Sequence, residues 1–366
     1  MIKLIIIGAG PIGCYVAQLL KEKNKNFDIT IIEEHADIGR PVHCAGLVST
    51  DVLTQIKVPI NDDVIINRID CAEFFLNHDS FKINRKDVAV VIDREKFDRA
   101  LGEGLKINFN TKFVGIEREG EAYLVETDKG EYYADIVIGS DGANSTLRKV
   151  VGFKENIEYL RGVQFRMRYD GCDKSCVQVY LKNPCFAWVI PEGEGIVRIG
   201  IISDNPYHDL SEFLEEKSAE GEILEKFAGV VPLGKCLTHN RNIFLVGDAA
   251  CQIKPLTHGG IYYGMRCAEM LVDCILKNNA GEYERQWKQR FEREINIGLK
   301  LKQMYERLNQ EETEKLFAVL KNNASIIEKF GDFENHSKVI SIIIKDPQLQ
   351  ILLGKVFIGF LKDVFI

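Results

Sequence analysis

Gly8, Gly10 and Gly13 follow the apolar run Leu4-Ile-Ile-Ile at the spacing G-x-G-x-x-G. Each glycine has its own task there. Gly8 allows a tight turn out of a strand. Gly10 lets backbone approach a pyrophosphate with no Cβ in the way, and Gly13 lets helix and strand pack closely. The helix that follows offers free N–H groups and the positive end of its dipole to the phosphates. Glu33 ends the next apolar run, where a carboxylate accepts hydrogen bonds from ribose hydroxyls; Glu34 competes for that task at one residue's offset. Far down the chain, Gly247-Asp248 closes the run Phe244-Leu-Val, and Gly259-Gly260-Ile261 opens a helical pattern. An acid at 248 can accept from a ribityl chain. A helix starting at 260 can stabilise negative charge on a reduced flavin. A nicotinamide dinucleotide has neither group, and one glycine fingerprint means one dinucleotide site. These residues therefore predict FAD and electron-transfer chemistry.

The elements that must position these residues are interleaved along the chain. Residues 2–7 read as a buried parallel strand, 14–23 as a helix and 28–32 as a second strand, a βαβ opening. Residues 51–92 are less regular, with strands at 71–76 and 88–92. Arg94 to Leu101 reads as a helix capped by Asp93. Residues 106–138 read as a small antiparallel sheet with a turn at Asp128-Lys-Gly130. Four strand-like runs between 155 and 205 predict a second antiparallel sheet, able to roof a pocket. Residues 209–227 read as helical, 242–246 as a buried strand, and 260–277 and everything after 282 as helical. The expected fold class is α/β with α+β elements. A Rossmann-like FAD-binding domain (1–50, 93–150 and 239–280) is interleaved with an antiparallel-sheet substrate domain (51–92 and 151–238). A C-terminal helical region (281–366) follows.

Composition narrows the function. The chain has 366 residues, 46% of them apolar, enough for two domains, and a net charge of −7 with no long basic run, so no nucleic acid partner is expected. The strand at the very start leaves no place for a signal peptide, and no apolar run is long enough to span a bilayer. A cytoplasmic location is expected. The ten cysteines are scattered, several in apolar contexts, as buried thiols of a reducing compartment would be. Cys172 and Cys176 are the close pair and the candidate disulfide. No Cys-x-x-Cys or iron–sulfur ligand run is present, and no metal is expected.

Gly8-x-Gly10-x-x-Gly13, Gly139-Ser-Asp141-Gly142 and Gly247-Asp248 resemble the three signatures of flavoproteins with the p-hydroxybenzoate hydroxylase fold. Gly39-Arg40-Pro41-Val-His-Cys44-Ala-Gly46 and Phe186-Ala-Trp188-Val-Ile-Pro191 are similar to stretches of the geranylgeranyl reductase family, as is Ile261-Tyr-Tyr263-Gly-Met-Arg266. The resemblance covers roughly residues 1–280. It implies that FAD contacts fall on Ile12, Glu33, Cys44, Ala45, Leu47, Arg94, Val114, Asp248, Gly260 and Ile261, with Asp141 and Gly259 in the same signatures. His258 departs from the pattern, standing where a third glycine often sits. Arg40 and Arg94 are candidate cations for pyrophosphate or flavin oxygens, or else surface salt bridges. Phe186 and Trp188 alternate on one strand and point to one face, where they can floor an isoprenoid channel together with Pro191, or simply pack as core. Cys44 is the catalytic candidate, either acting at the flavin or shaping the pocket.

The resemblance implies reduction of C=C bonds of geranylgeranyl chains, in membrane lipids or their precursors. Electrons would come from an external donor, a ferredoxin-like carrier or NAD(P)H. A lipid substrate implies peripheral contact with the inner face of the membrane, and the apolar tail from Leu349 to Phe360 is either core or bilayer-facing. Two alternatives compete: a flavin monooxygenase of aromatic or quinone-type substrates, and a non-enzymatic prenyl-binding escort protein.

Overall fold

The computed structural model describes residues 1–23, 26–343, 345 and 347. Three sheets organise them. The first has six strands in the order His239–Asn240, Ile243–Leu245, Ile136–Gly139, Ile2–Ile7, Phe27–Ile32, Ile107–Asn108. All pairs are parallel except the outermost one, His239–Asn240 with Ile243–Leu245. Leu4 to Ile7 are buried, because both faces of the strand are covered: Leu4 and Ile6 by helices, Ile5 and Ile7 by residues of the strands at 113–134 such as Phe113 and Val125. The helices Pro11–Lys23 and Ile261–Leu276 pack together with strand residues Leu4, Ile6 and Ile31 in the largest core cluster. Strands from residues 2, 136 and 243 therefore end side by side, at the crevice where open parallel sheets bind ligands.

The second sheet has eight strands in the order Ile223–Cys236, Glu155–Arg168, Ile196–Ile202, Cys185–Gly193, Cys176–Lys182, Ile65–Leu76, Asp79–Ile92, Leu47–Ser49. It is antiparallel apart from the pairing of Cys176–Lys182 with Ile65–Leu76. A three-stranded sheet, Phe113–Glu119, Ala122–Thr127 and Gly130–Ala134, forms the turn expected at Asp128-Lys-Gly130. Helices Arg293–Arg307, Gln310–Asn322, Ala324–Phe330 and Ser337–Ile343 complete the described chain. None of the described helices is long and apolar enough to cross a membrane. The tail from Leu349 to Phe360 lies outside the described residues.

Three expectations are corrected. Helix 209–227 is instead a helix at Pro206–Glu216 and a 14-residue strand from Ile223. That strand carries Gly229, Pro232 and Gly234, residues tolerated because it is the sheet edge. Residues 51–92 are more regular than expected: Ile65–Leu76 and Asp79–Ile92 form one long hairpin, turned at Asn77 with φ 53°. The disulfide joins Cys71 and Cys176, not Cys172 and Cys176. The two partners are direct neighbours across the parallel strand pair, a register invisible to sequence spacing. The other eight cysteines are free.

Candidate functional site

The glycine loop has the geometry its spacing demands. Gly8 has φ +100°, and a Cβ there would come 2.5 Å from the Ser140 carbonyl oxygen. At Gly13 a Cβ would lie 2.1 Å from the Gly8 oxygen. Gly10 is different: its Cβ position has no atom within 4 Å, leaving an open cradle at the start of helix Pro11–Lys23. Ile12 is buried beneath the loop and meets the late segments, since Cβ atoms at Gly247 and Gly264 would lie 3.1 Å and 2.8 Å from its side chain. The two ends of the chain close on each other there.

Glu33, rather than Glu34, faces this loop. Its Oε2 accepts the Ala9 N–H at 2.8 Å and its Oε1 the His35 N–H at 2.9 Å. Glu34 is exposed and pairs with Lys112 at 3.8 Å. Asp141 lies in the neighbouring loop, but its carboxylate is engaged locally. It accepts from Ser145 Oγ at 2.6 Å and Leu147 N at 3.0 Å, and so caps helix Thr146–Val151. Asp248 stands beside Gly260, where any Cβ would lie 2.6 Å from its Oδ1. Burial pushes the Asp248 carboxyl up from its usual range, and the Arg94 cation opposes that. Gly259, Gly260 and Ile261 form the entry to helix Ile261–Leu276.

The two arginines separate. Arg94 is buried and grips Asp98 through Nε at 3.2 Å and Nη2 at 2.9 Å. It stands beside Cys44, and although burial works against its charge, the Asp98 carboxylate favours it. Arg94 is thus a fixed cation among Asp98, Cys44 and Asp248. Arg40 lies at the surface and pairs with Glu95 at 2.7 Å. Val114, on strand Phe113–Glu119, is 53% exposed.

The Cys44 loop is pinned to the eight-stranded sheet. The Cys44 carbonyl accepts from Gln164 Nε2 at 3.2 Å, and Gln164 Oε1 accepts the Trp188 indole N–H at 3.2 Å. The Ala45 carbonyl accepts from Arg198 Nη1 at 2.6 Å. Gly46 has φ +70°, and a Cβ would strike Arg198 at 2.1 Å. Glu192, nearly buried, neutralises Arg198 and also takes Arg166 at 2.7 Å. Gln164 and Arg198 were missed by the sequence reading. The signal for Arg198 was a lone cation inside the apolar run Ile196-Val-Arg-Ile-Gly-Ile-Ile, since a buried charge needs a partner.

Phe186 and Trp188 share a face, with ring centroids 5.9 Å apart, and the His258 ring stacks on Phe186 at 5.2 Å. His258 brings the loop before Gly259 against the eight-stranded sheet. It has φ +58° and a buried Nδ1 with no hydrogen-bond partner; burial and Lys302 push its pKa down to about 4. Pro191 does not join this face. Strand alternation puts it with Ala187 and Val189, which pack toward helix Pro206–Glu216. Leu47, Ala45 and Trp188 pack against the other face's cluster, built on Ile69, Ala89, Val91, Val177 and Ile190.

These features fit FAD. The open cradle at Gly10 with free helix N–H groups suits a pyrophosphate, Glu33 a ribose, and Asp248 beside Gly260 the ribityl and flavin end.

Comparison with known proteins agrees. Residues 6–54 match the NAD(P)-binding Rossmann-like domain. An uncharacterized protein of Methanocaldococcus jannaschii is 31% identical, covering 96% of this chain and 96% of its own. A digeranylgeranylglycerophospholipid reductase of Methanosarcina acetivorans is 27% identical over 87% of this chain and 88% of its own. The crystal structure of a geranylgeranyl bacteriochlorophyll reductase-like protein from Thermoplasma acidophilum superposes with a TM-score of 0.84 at 22% identity, covering 100% of this chain and 99% of the other. With each of these relatives matched over 87% of the chain or more, the chain belongs to the geranylgeranyl reductase family of FAD-dependent oxidoreductases.

Proposed function

We propose that this flavoenzyme saturates C=C bonds of geranylgeranyl chains carried by membrane lipids or their precursors. The observation that carries the reading is the chain Trp188–Gln164–Cys44, which fixes an apolar, aromatic wall to the loop at the cofactor's reactive side. When bound and reduced, FAD supplies a hydride equivalent at its ring. An isolated trisubstituted alkene accepts hydride poorly because it has no carbonyl to hold charge. The protein must therefore align the alkene, exclude water and allow a proton to reach the second carbon. Phe186, Trp188 and His258 supply the flat apolar surface that aligns a prenyl chain. The Cys44 carbonyl is held by Gln164 and its Sγ accepts the Gly46 N–H at 3.3 Å, so Cys44 is fixed at the meeting point of cofactor loop and wall. Arg94 and Glu33 complete the cofactor site of this reading, with Ile12, Ala45, Leu47 and Ile261 as apolar or backbone contacts. The electron donor is external, a ferredoxin-like carrier or NAD(P)H, and the enzyme works at the inner membrane face to reach its lipid.

Anaerobic incubation with dithionite and a panel of geranylgeranyl lipids, read by mass spectrometry, tests this. The expected result is a gain of two hydrogens per reduced bond. An oxygen-dependent gain of one oxygen would replace the reading by a monooxygenase, and a colourless protein with no affinity for FAD would replace it by a prenyl-binding escort.

A further inference from the structure

A single lysine ties the cofactor-side loop to the C-terminal region. The Lys254 backbone N–H donates to the Gly259 carbonyl at 3.1 Å, and its carbonyl accepts from His258 N at 2.9 Å, closing the loop that leads into Gly260. Its side chain is buried and points elsewhere. Nζ lies 2.9 Å from Glu334 Oε2, donates to the Phe333 carbonyl at 2.9 Å and sits 4.5 Å from the centre of the Phe333 ring. Glu334 is equally buried, and Tyr263 Oη, from the helix opened by Gly260, donates to its carbonyl at 2.8 Å. On the other side, Arg85 donates to the Gly331 carbonyl, and Glu328 accepts from Asn84 N at 2.8 Å, both from the hairpin of the eight-stranded sheet. Residues 328–334 thus bridge the substrate sheet and the cofactor helix. Phe333 itself joins the apolar cluster that also takes Ala45, Leu47 and Trp188.

A buried ion pair adds little net stability, because desolvation offsets its attraction; its attested use is to fix one arrangement among several. Here the arrangement fixed is the position of one aromatic ring beside the wall formed by Trp188 and the Cys44 loop. Burial pushes the Lys254 ammonium down and Glu334 opposes it, so losing Glu334 leaves a buried charge uncompensated.

We propose that Phe333 is a specificity-determining residue that limits how far an apolar chain extends past the cofactor loop, and that the Lys254–Glu334 pair is the positioning device that seats it. The proposal rests on the isoprenoid reading above and names the end wall of that same site. Removing a ring from an apolar pocket alters discrimination between chains differing by a few carbons by tenfold or more.

The test uses the FAD-loaded full chain, as wild type, Phe333→Ala, Lys254→Met and the milder Glu334→Gln. Steady-state reduction is measured for farnesyl, geranylgeranyl and geranylfarnesyl lipids with the same head group. Phe333→Ala is expected to raise the ratio of kcat/KM for the longest over the shortest chain at least about tenfold, with FAD affinity unchanged. Lys254→Met or Glu334→Gln is expected to shift the ratio the same way and to speed hydrogen exchange across residues 331–336. An equal change for all three chain lengths, or unaltered exchange in both pair variants, would overturn the proposal. If the wild type reduces none of these lipids, the isoprenoid reading fails by itself. Phe333 is then judged by the affinity of saturated C15, C20 and C25 alcohols, read from flavin absorbance, where an unchanged length preference in Phe333→Ala overturns it.

Discussion

The glycine loop and the aromatic wall are built in opposite ways. At the loop, backbone does the work: Gly8, Gly13 and Gly260 exist because a Cβ would meet Ser140, Gly8 or Asp248, and Gly10 leaves open space. At the wall, side chains from distant strands do it: Gln164, Trp188, Arg198 and Glu192 converge on the Cys44 loop through buried polar contacts. Backbone construction leaves no room for a side chain at Gly8, Gly13 or Gly260. Side-chain construction depends on strand register, and can be retuned residue by residue. The first suits a partner held in one fixed pose, and the second a surface whose shape can be adjusted.

The comparison can be broken most sharply at Gly13. Gly13→Val places carbon on the Gly8 carbonyl, and the purified protein is expected to contain no FAD and to bind none in a titration. Next is the wall's own clip. Cys71→Ser should lower stability by about 2–4 kcal/mol in non-reducing urea unfolding, while FAD affinity stays unchanged if the wall is independent of the loop. Glu33→Gln removes a charged acceptor and should weaken FAD by roughly 10–100-fold, from about 1.5–3 kcal/mol, whereas Glu34→Gln, at an exposed site, should leave it unaltered. A smaller effect is expected with pH. His258 and His336 have pKa values near 4, below the ordinary 6.5, because burial disfavours their charged forms and a lysine adds to it, Lys302 at His258 and Lys254 at His336, where Asp332 only partly opposes. The unfolded chain takes up protons first as pH falls, so their stability contribution is full above 6.5 and is lost between 6.5 and about 4. Thermal melts should show Tm falling through that window, and His258→Gln should flatten part of the fall.

What was legible in the sequence follows the same division. The strand–glycine–helix opening, Glu33, the Gly247-Asp248 turn and the Asp93 cap are local patterns, each set by residues within one turn or strand, and their types announce them. The pairing of Cys71 with Cys176 is set by the register of two strands 105 residues apart in sequence. Residues 223–227, the start of the edge strand, read as helix in the sequence because Ile-Leu-Glu-Lys-Phe has no alternation to mark a strand. Pro191 shares a motif with Phe186 and Trp188 but is out of phase with them on the strand, a difference that motif spacing does not display. Phe333 and Lys254 carried no local signal, because their roles arise only where the C-terminal region folds back.

The most direct measurement is rapid mixing, without oxygen, of the dithionite-reduced enzyme with a geranylgeranyl lipid while flavin absorbance is followed. The account predicts that oxidised-flavin absorbance returns in step with saturation of the lipid, and that a fully saturated analogue leaves the flavin reduced. Flavin that stays reduced with every unsaturated lipid and reoxidises only when oxygen is admitted would contradict it.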